Sequence, residues 1–217
     1  MITFDNVSKQ YDDAREVLKQ VSFKLEVGEM AFLTGPSGAG KSTLLRLLSL
    51  SCRCTSGNIF LNGKSLKNVR QSQVSFLRRT MGLIFQSPNL LNDRSVFNNV
   101  ALPLMVAGVS PSEIAKRVRA SLDMVGLLQK EKSLPQELST GQQQRVGIAR
   151  AVVHKPSIIL ADEPTGNLDP SLSKDIMSLF STLNDFGVTV LIATHDLSLI
   201  ATMSYPILVL KEGRLIC

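Results

Sequence analysis

The sequence predicts an α/β fold: a parallel sheet covered by helices on both faces and interrupted by a helical insertion. Three observations carry that reading. Beyond Pro156, apolar runs at Ile158 to Ala161, Val188 to Ala193 and Ile207 to Leu210 alternate with helical patterns at Leu172 to Phe186 and Leu197 to Met203. Strands that are apolar throughout and alternate with helices belong in a parallel sheet buried on both sides. From about Ser87 to Val153 the pattern is helical, and Pro88, Pro103, Pro111 and Pro135 divide it into separate segments. Finally, the glycine-rich run Gly35 to Ser42 sits between an apolar strand, Met30 to Thr34, and a helical run, Thr43 to Leu50.

The opening third reads as strands at Ile2 to Val7, Val21 to Val27 and Met30 to Thr34, with turn signals at Asp12-Asp13 and Gly28-Glu29. After the first helix, Asn58 to Leu61 is another strand, ended by the tight-turn pair Asn62-Gly63. Met81 to Phe85 is a short apolar strand. In the insertion, Ser110-Pro111-Ser112-Glu113 marks a helix start with proline in the first turn. Ile114, Val118, Leu122 and Val125 then build its apolar face, while Lys116, Arg117 and Arg119 point to solvent. Ser139 is a natural N-cap for a helix from Gln142 to Val153, with Val146, Ala149 and Val153 as its buried stripe.

At 217 residues the chain fits one large domain or two small ones, and 44% hydrophobic with 19% charged residues describes an ordinary globule. The longest apolar candidate, Val100 to Val109, is broken by Pro103 and Gly108 and is too short to cross a bilayer. Met1 to Asp5 lacks the basic start and apolar core of a secretory signal, so a cytosolic chain is expected. The net charge of +6 fits an anionic partner as well as plain solubility. Cys52, Cys54 and Cys217 have no metal spacing and are expected to be reduced, incidental thiols.

The chemistry starts at Gly35-Pro36-Ser37-Gly38-Ala39-Gly40-Lys41-Ser42, a Walker A pattern in the context it requires. Its backbone N–H groups are expected to curl around phosphate oxygens at a helix N-terminus, with Lys41 on the terminal phosphates and Ser42 on Mg2+. Asp162 closes an apolar strand, which places its carboxylate at the sheet edge where ligands bind, suited to Mg2+. Glu163 follows and would polarise the attacking water. His195 ends another apolar strand at the matching position, so a γ-phosphate contact is expected although a lone histidine there is usually structural. Gln86 also ends a strand, and its neutral amide suits Mg2+ or water. His154 is expected to be a C-terminal helix cap. In Leu138-Ser139-Thr140-Gly141-Gln142 a capped helix start leaves the N–H groups of Gly141 and Gln142 ready for an anion. Tyr11 could stack on adenine or simply pack; its residue type leaves both open.

With these motifs in this order, the whole chain resembles the ATP-binding-cassette ATPases. The resemblance implies a P-loop NTPase core with a parallel sheet, an N-terminal antiparallel β subdomain and an inserted helical subdomain. It implies one nucleotide-binding domain over 1–217, with the core at about 1–86 and 157–217 and the helical subdomain at about 87–156. By this likeness Tyr11 stacks on adenine, Gly35 to Thr43 cradle the phosphates, and Gln86 is the Q-loop residue. Ser139, Thr140, Gly141 and Gln142 are the signature, Glu163 is the catalytic base, and His195 is the switch histidine. Asn167-Leu168-Asp169 is the D-loop, with Asp169 near the nucleotide. Family members sandwich two ATP molecules between two subunits, each held by one subunit's Walker A and the other's signature. Phe76 to Arg79, Asp93 to Val96 and Asn99 to Leu104 resemble the cell-division branch, and part of the likeness is shared with the ATPases of lipoprotein-releasing and macrolide-export complexes. The implied cofactors are ATP and Mg2+. The implied partners are an ATP-dependent second copy and an integral membrane subunit, with peripheral attachment on the cytoplasmic side of the inner membrane and no nucleic acid. The commoner signature has glycine where this chain has Thr140; a β-branched residue would be strained if that position needed positive φ.

Overall fold

A computed structural model describes residues 2–12 and 16–216. The expectations resting on Met1, on Asp13 in the first turn and on Cys217 lie outside the described residues.

Two sheets form. The smaller is antiparallel, with strand order β2-β1-β4-β5, built from β1 (Ile2–Gln10), β2 (Glu16–Leu25), β4 (Ser56–Leu61) and β5 (Lys64–Ser65). Its inward residues pair across strands, Ile2 with both Leu25 and Leu61, and the rings of Phe4 and Phe23 stack at 4.6 Å. The larger sheet has the order β10-β9-β3-β8-β7-β6. Its members are β3 (Met30–Thr34), β6 (Met81–Phe85), β7 (Ile158–Asp162), β8 (Thr189–Ala193), β9 (Ile207–Lys211) and β10 (Arg214–Ile216). All pairings from β9 to β6 are parallel, and β10 returns antiparallel along β9.

The period-2 alternation of the central strands divides the interior in two. Met30 and Phe32 of β3, Ile159 and Ala161 of β7 and Val190 and Ile192 of β8 face one cluster, which they share with Val100, Val146 and Phe180 from the helices. Ala31 and Leu33, Ile158 and Leu160, and Leu191 and Ala193 face the other, against Leu44 and Leu48 and the small sheet's Phe4 and Leu61. Helix α1 (Lys41–Leu48) therefore lies between the two sheets. Helices α3 (Val96–Val106), α4 (Pro111–Met124) and α5 (Thr140–Val152) follow one another between β6 and β7. Helices α6 (Pro170–Asp185) and α7 (Leu197–Ile200) flank β8 in sequence.

Some boundaries differ from the sequence reading. β2 starts at Glu16 rather than Val21 and stops at Leu25, leaving Val27 72% exposed beyond its end. Helix α2 (Gln71–Arg78) carries almost no apolar signal because only Val74 on it is buried. The short β10 was likewise unanticipated. Pro103 lies inside α3 instead of separating two helices. Proline removes one N–H from the helix interior, and the burial of Val100, Ala101 and Leu104 around it offsets that loss. Helix α5 starts at Thr140, two residues earlier than expected, because Ser139 caps it directly.

Candidate nucleotide-binding site

The parallel strands β3, β7 and β8 all end on one edge of the sheet, and the loops that follow bring the polar residues together. Between β3 and α1 the chain turns so tightly that a Cβ on Gly35 would stand 2.0 Å from the Leu210 carbonyl oxygen. Gly40, at φ 108, is the N-cap of α1, and no side chain caps that helix start. The loop's N–H groups and the positive end of the helix dipole are thus turned toward an anion. A cleft of about 720 Å3 opens there, lined by Pro36 to Thr43 together with Val17, Gln86, Glu163 and His195.

Lys41 is buried, and its ammonium donates to the carbonyl oxygens of Gly35 at 2.7 Å and Pro36 at 3.3 Å while lying 3.9 Å from Glu163 Oε1. His195 Nδ1 stands 2.8 Å from the same carboxylate oxygen, and the His195 backbone N–H donates to Oε2 at 3.4 Å. Glu163 itself holds a left-handed backbone at φ 49, which costs a non-glycine residue about 1–3 kcal/mol. Its N–H donates to the Ala193 carbonyl at 2.8 Å, so the neighbouring strand β8 fixes the turn that aims this side chain.

Asp162 sits one residue deeper. Burial pushes its carboxyl above the ordinary aspartate range, opposed by a hydrogen bond from the Ser42 hydroxyl. Its Oδ1 is buried without a partner. An orphaned carboxylate oxygen beside a serine hydroxyl fits a small hard cation, which takes oxygen ligands. Gln86 ends β6 and reaches across to Asn167 Oδ1 at 3.4 Å, facing the same cleft. The Tyr11 hydroxyl is 3.4 Å from Thr43 Oγ1, with Lys9 Nζ 4.9 Å from its ring centroid, so the ring borders the start of α1.

Other sequence-named residues lie elsewhere. Ser139, Thr140, Gly141 and Gln142 do not line the P-loop cleft of their own chain. Ser139 and Gln142 form a reciprocal capping box: the Gln142 N–H donates to Ser139 Oγ at 3.3 Å and the Ser139 N–H to Gln142 Oε1 at 3.1 Å. This corrects the expectation of a free Gln142 N–H, because the cap that starts the helix consumes it. Thr140 opens α5 and is absent from the positive-φ residues, so the β-branched departure introduces no strain. Gly141 packs so closely on α6 that a Cβ would stand 2.8 Å from Leu172 Cδ1. Asp169 caps α6 instead of facing the cleft, its Oδ1 accepting the N–H groups of Ser171 and Leu172 at 3.0 Å each. His154 is no helix cap either. Its Nε2 donates to the Met81 carbonyl at 3.1 Å, and burial pushes its pKa down.

Sequence reasoning missed the residues that hold Gln86's loop. Gln144, Asn99 and Arg150 bond its backbone from α5 and α3. The available signal was polar side chains at buried helix positions: Asn99 is fully buried and Gln144 is 3% exposed.

The ABC transporter family profile matches residues 18–166. The chain is 54% identical to the cell division ATP-binding protein FtsE of Escherichia coli K12, over 99% of this chain and 97% of that protein. It is 46% identical to the FtsE of Mycobacterium tuberculosis, over 100% of this chain and 94% of that one. Among solved structures, the ATP-binding cassette MJ0796, dimeric and bound to ADP and Pi in a post-hydrolysis state, superposes with a TM-score of 0.91. That likeness has 34% identity and covers 100% of this chain and 97% of that one.

Proposed function

The chain belongs to the ABC transporter family and is an ATP hydrolase; from that premise we propose the residue roles, the shared site and the cellular task that follow. The single observation behind the mechanism is the Glu163 carboxylate, held between His195 and Lys41 in the P-loop cleft.

Lys41 and backbone N–H groups of the loop between β3 and α1 hold the ATP phosphates, and Tyr11 lies beneath the adenine. Ser42 and Asp162, with Gln86 from the side, would hold Mg2+, which when bound offsets phosphate charge. Glu163 accepts the proton of a water whose oxygen bonds to the γ-phosphorus as the bond to the bridging oxygen breaks, releasing ADP and phosphate. His195 orients that carboxylate and contacts the γ-phosphate. The Ser139 turn and Asp169 serve a second copy: a capped helix start displayed away from its own cleft is matched to the phosphate held by a partner. The proposed organisation is one domain with its core at about 1–86 and 157–217 and a helical subdomain at about 87–156.

The cellular reading is that of an FtsEX-like complex in bacterial division, in which ATP-driven dimerisation works an integral membrane subunit of the FtsX kind that controls cell-wall hydrolysis. Its support is identity of 40–54% to FtsE proteins of several bacteria along nearly the whole chain, beyond what ATP chemistry needs. No helix among the described residues is long and apolar enough to cross a membrane, so attachment at the cytoplasmic face would come from that subunit. Phe76, Met105 and Val106 are exposed apolar side chains, and Arg79, at the end of Phe76's helix, donates to the Val106 carbonyl at 3.5 Å; we assign the docking of that subunit to this region. Cells supplied only with Glu163→Gln should grow as chains or filaments, most visibly at low osmolarity, with outer-membrane lipoproteins sorted normally. Normal division with lipoproteins stranded in the inner membrane would replace this reading with an exporter subunit.

A further inference from the structure

We propose that Gln144 and Arg150 are positioning residues that make Gln86 move with the Ser139 turn, so that α5 ties a chain's own cleft to the surface it offers its partner's. The inference rests on the shared-site reading above.

Among the described residues β6 is an edge strand, bonded to β7 on one side and to no strand on the other. At its end Gln144 donates its Nε2 to the Phe85 carbonyl at 3.0 Å, in a nearly dry environment. One turn along α5, a Cβ on Gly147 would stand 2.9 Å from Pro88 Cβ, so helix and loop touch there with no room between them. One turn further, Arg150 donates to the carbonyls of Pro88 and of Asn89, the latter at 3.1 Å. Burial of this guanidinium pushes its pKa down.

Residues three apart on one side of a single helix therefore hold the chain at Phe85, immediately before Gln86, and at Pro88 and Asn89, two and three residues after it. Gln86 itself is left free of α5, with its amide on Asn167 and its side facing Glu163 and His195. Releasing the Gln144 bond would strand a buried donor, and the close Gly147–Pro88 contact leaves no room for a shift, so the segment is carried by the helix and does not slide along it. Since α5 begins at the Ser139 cap, closure of that turn on a partner's nucleotide displaces Gln86 in its own cleft. Glutamine suits position 144 because it can donate to a carbonyl, which a glutamate cannot.

The test compares Gln144→Met, which keeps the length and loses the donor, with Arg150→Lys and Arg150→Met. Stoichiometry of labelled ATP, kcat and KM are measured for each, and ATP-driven dimerisation is measured in a Glu163→Gln background. Gln144→Met and Arg150→Met should lower kcat roughly ten- to a hundredfold, the scale for a group misplaced by about 1 Å. KM should stay within about twofold and ATP stoichiometry should be retained. Arg150→Lys, which keeps a cationic donor, should recover most of the rate. Unchanged kcat, or kcat and ATP stoichiometry falling in proportion as for a purely structural role, would overturn the linkage. If Gln144→Met does not fold, the two Arg150 variants decide the matter. A Glu163→Gln chain that stays monomeric with ATP would instead remove the shared-site reading beneath the proposal.

Discussion

Glu163 combines a strained backbone, a histidine at 2.8 Å and a lysine at 3.9 Å on one carboxylate oxygen. Replacing it with glutamine keeps the shape and removes the proton acceptor. Glu163→Gln should bind ATP normally and lose about 10²–10⁴-fold in kcat, read by steady-state phosphate release. Lys41→Ala should instead lose ATP binding itself, because the cation on the terminal phosphates is gone; unaltered labelled-ATP binding would refute the P-loop assignment. His154 makes a different prediction. Its folded pKa is depressed by burial below the ordinary 6.5, so the unfolded chain takes up the proton first. Its share of stability is whole above pH 6.5 and is lost as pH falls below that value. The drop in Tm between pH 7.5 and 5.5 should shrink in His154→Gln, and an identical drop would place the titration elsewhere. Lys41, Asp162, Glu163 and His195 were legible in the sequence because each follows an apolar strand, and strand ends converge in a parallel sheet. Ser139 as a cap was legible, but that its cap consumes the Gln142 N–H, and that Asp169 caps α6, were not. A residue type that can bind phosphate can equally cap a helix, and only the backbone chooses.

At the scale of elements, α3 is secured by one fully buried amide. Asn99 accepts the Leu91 N–H at 2.8 Å and donates to the carbonyls of Leu91, Arg94 and Ser95, which fixes the loop between Gln86's strand and the helix. Asn99→Leu would fill the space and strand that N–H, at a cost of about 1–3 kcal/mol per unsatisfied buried group. Chemical denaturation should show a destabilisation of at least about 2 kcal/mol, and a neutral result would mean that water replaces the amide. The central strands were legible almost to the residue, since their burial on both faces leaves uninterrupted apolar runs. Helix α2 was not, because a helix with one buried residue has no periodic stripe to read. Pro103 misled for a related reason: its local preference for a break is outweighed by the packing of Val100 and Leu104.

Across the whole molecule, the proposed docking surface at the exposed Phe76 and Val106 predicts that attachment to a membrane subunit rests on apolar contact more than on charge. Exposed charges are screened beyond about 8–10 Å at physiological ionic strength. With the membrane subunit present, the chain should therefore remain in the membrane fraction through a moderate salt wash, and Val106→Asp should release it. Release of the unaltered chain by salt alone would contradict the docking surface. The Ser139 turn has a further consequence, in heredity. It stands apart from its own P-loop cleft, and on the proposed shared site a lesion there would damage the site housed in the other copy. A cell carrying one Lys41→Ala gene and one Ser139→Arg gene would assemble mixed pairs in which one site bears both lesions and the other bears neither. Two recessive-looking alleles would then complement each other, whereas two different lesions within the P-loop would not.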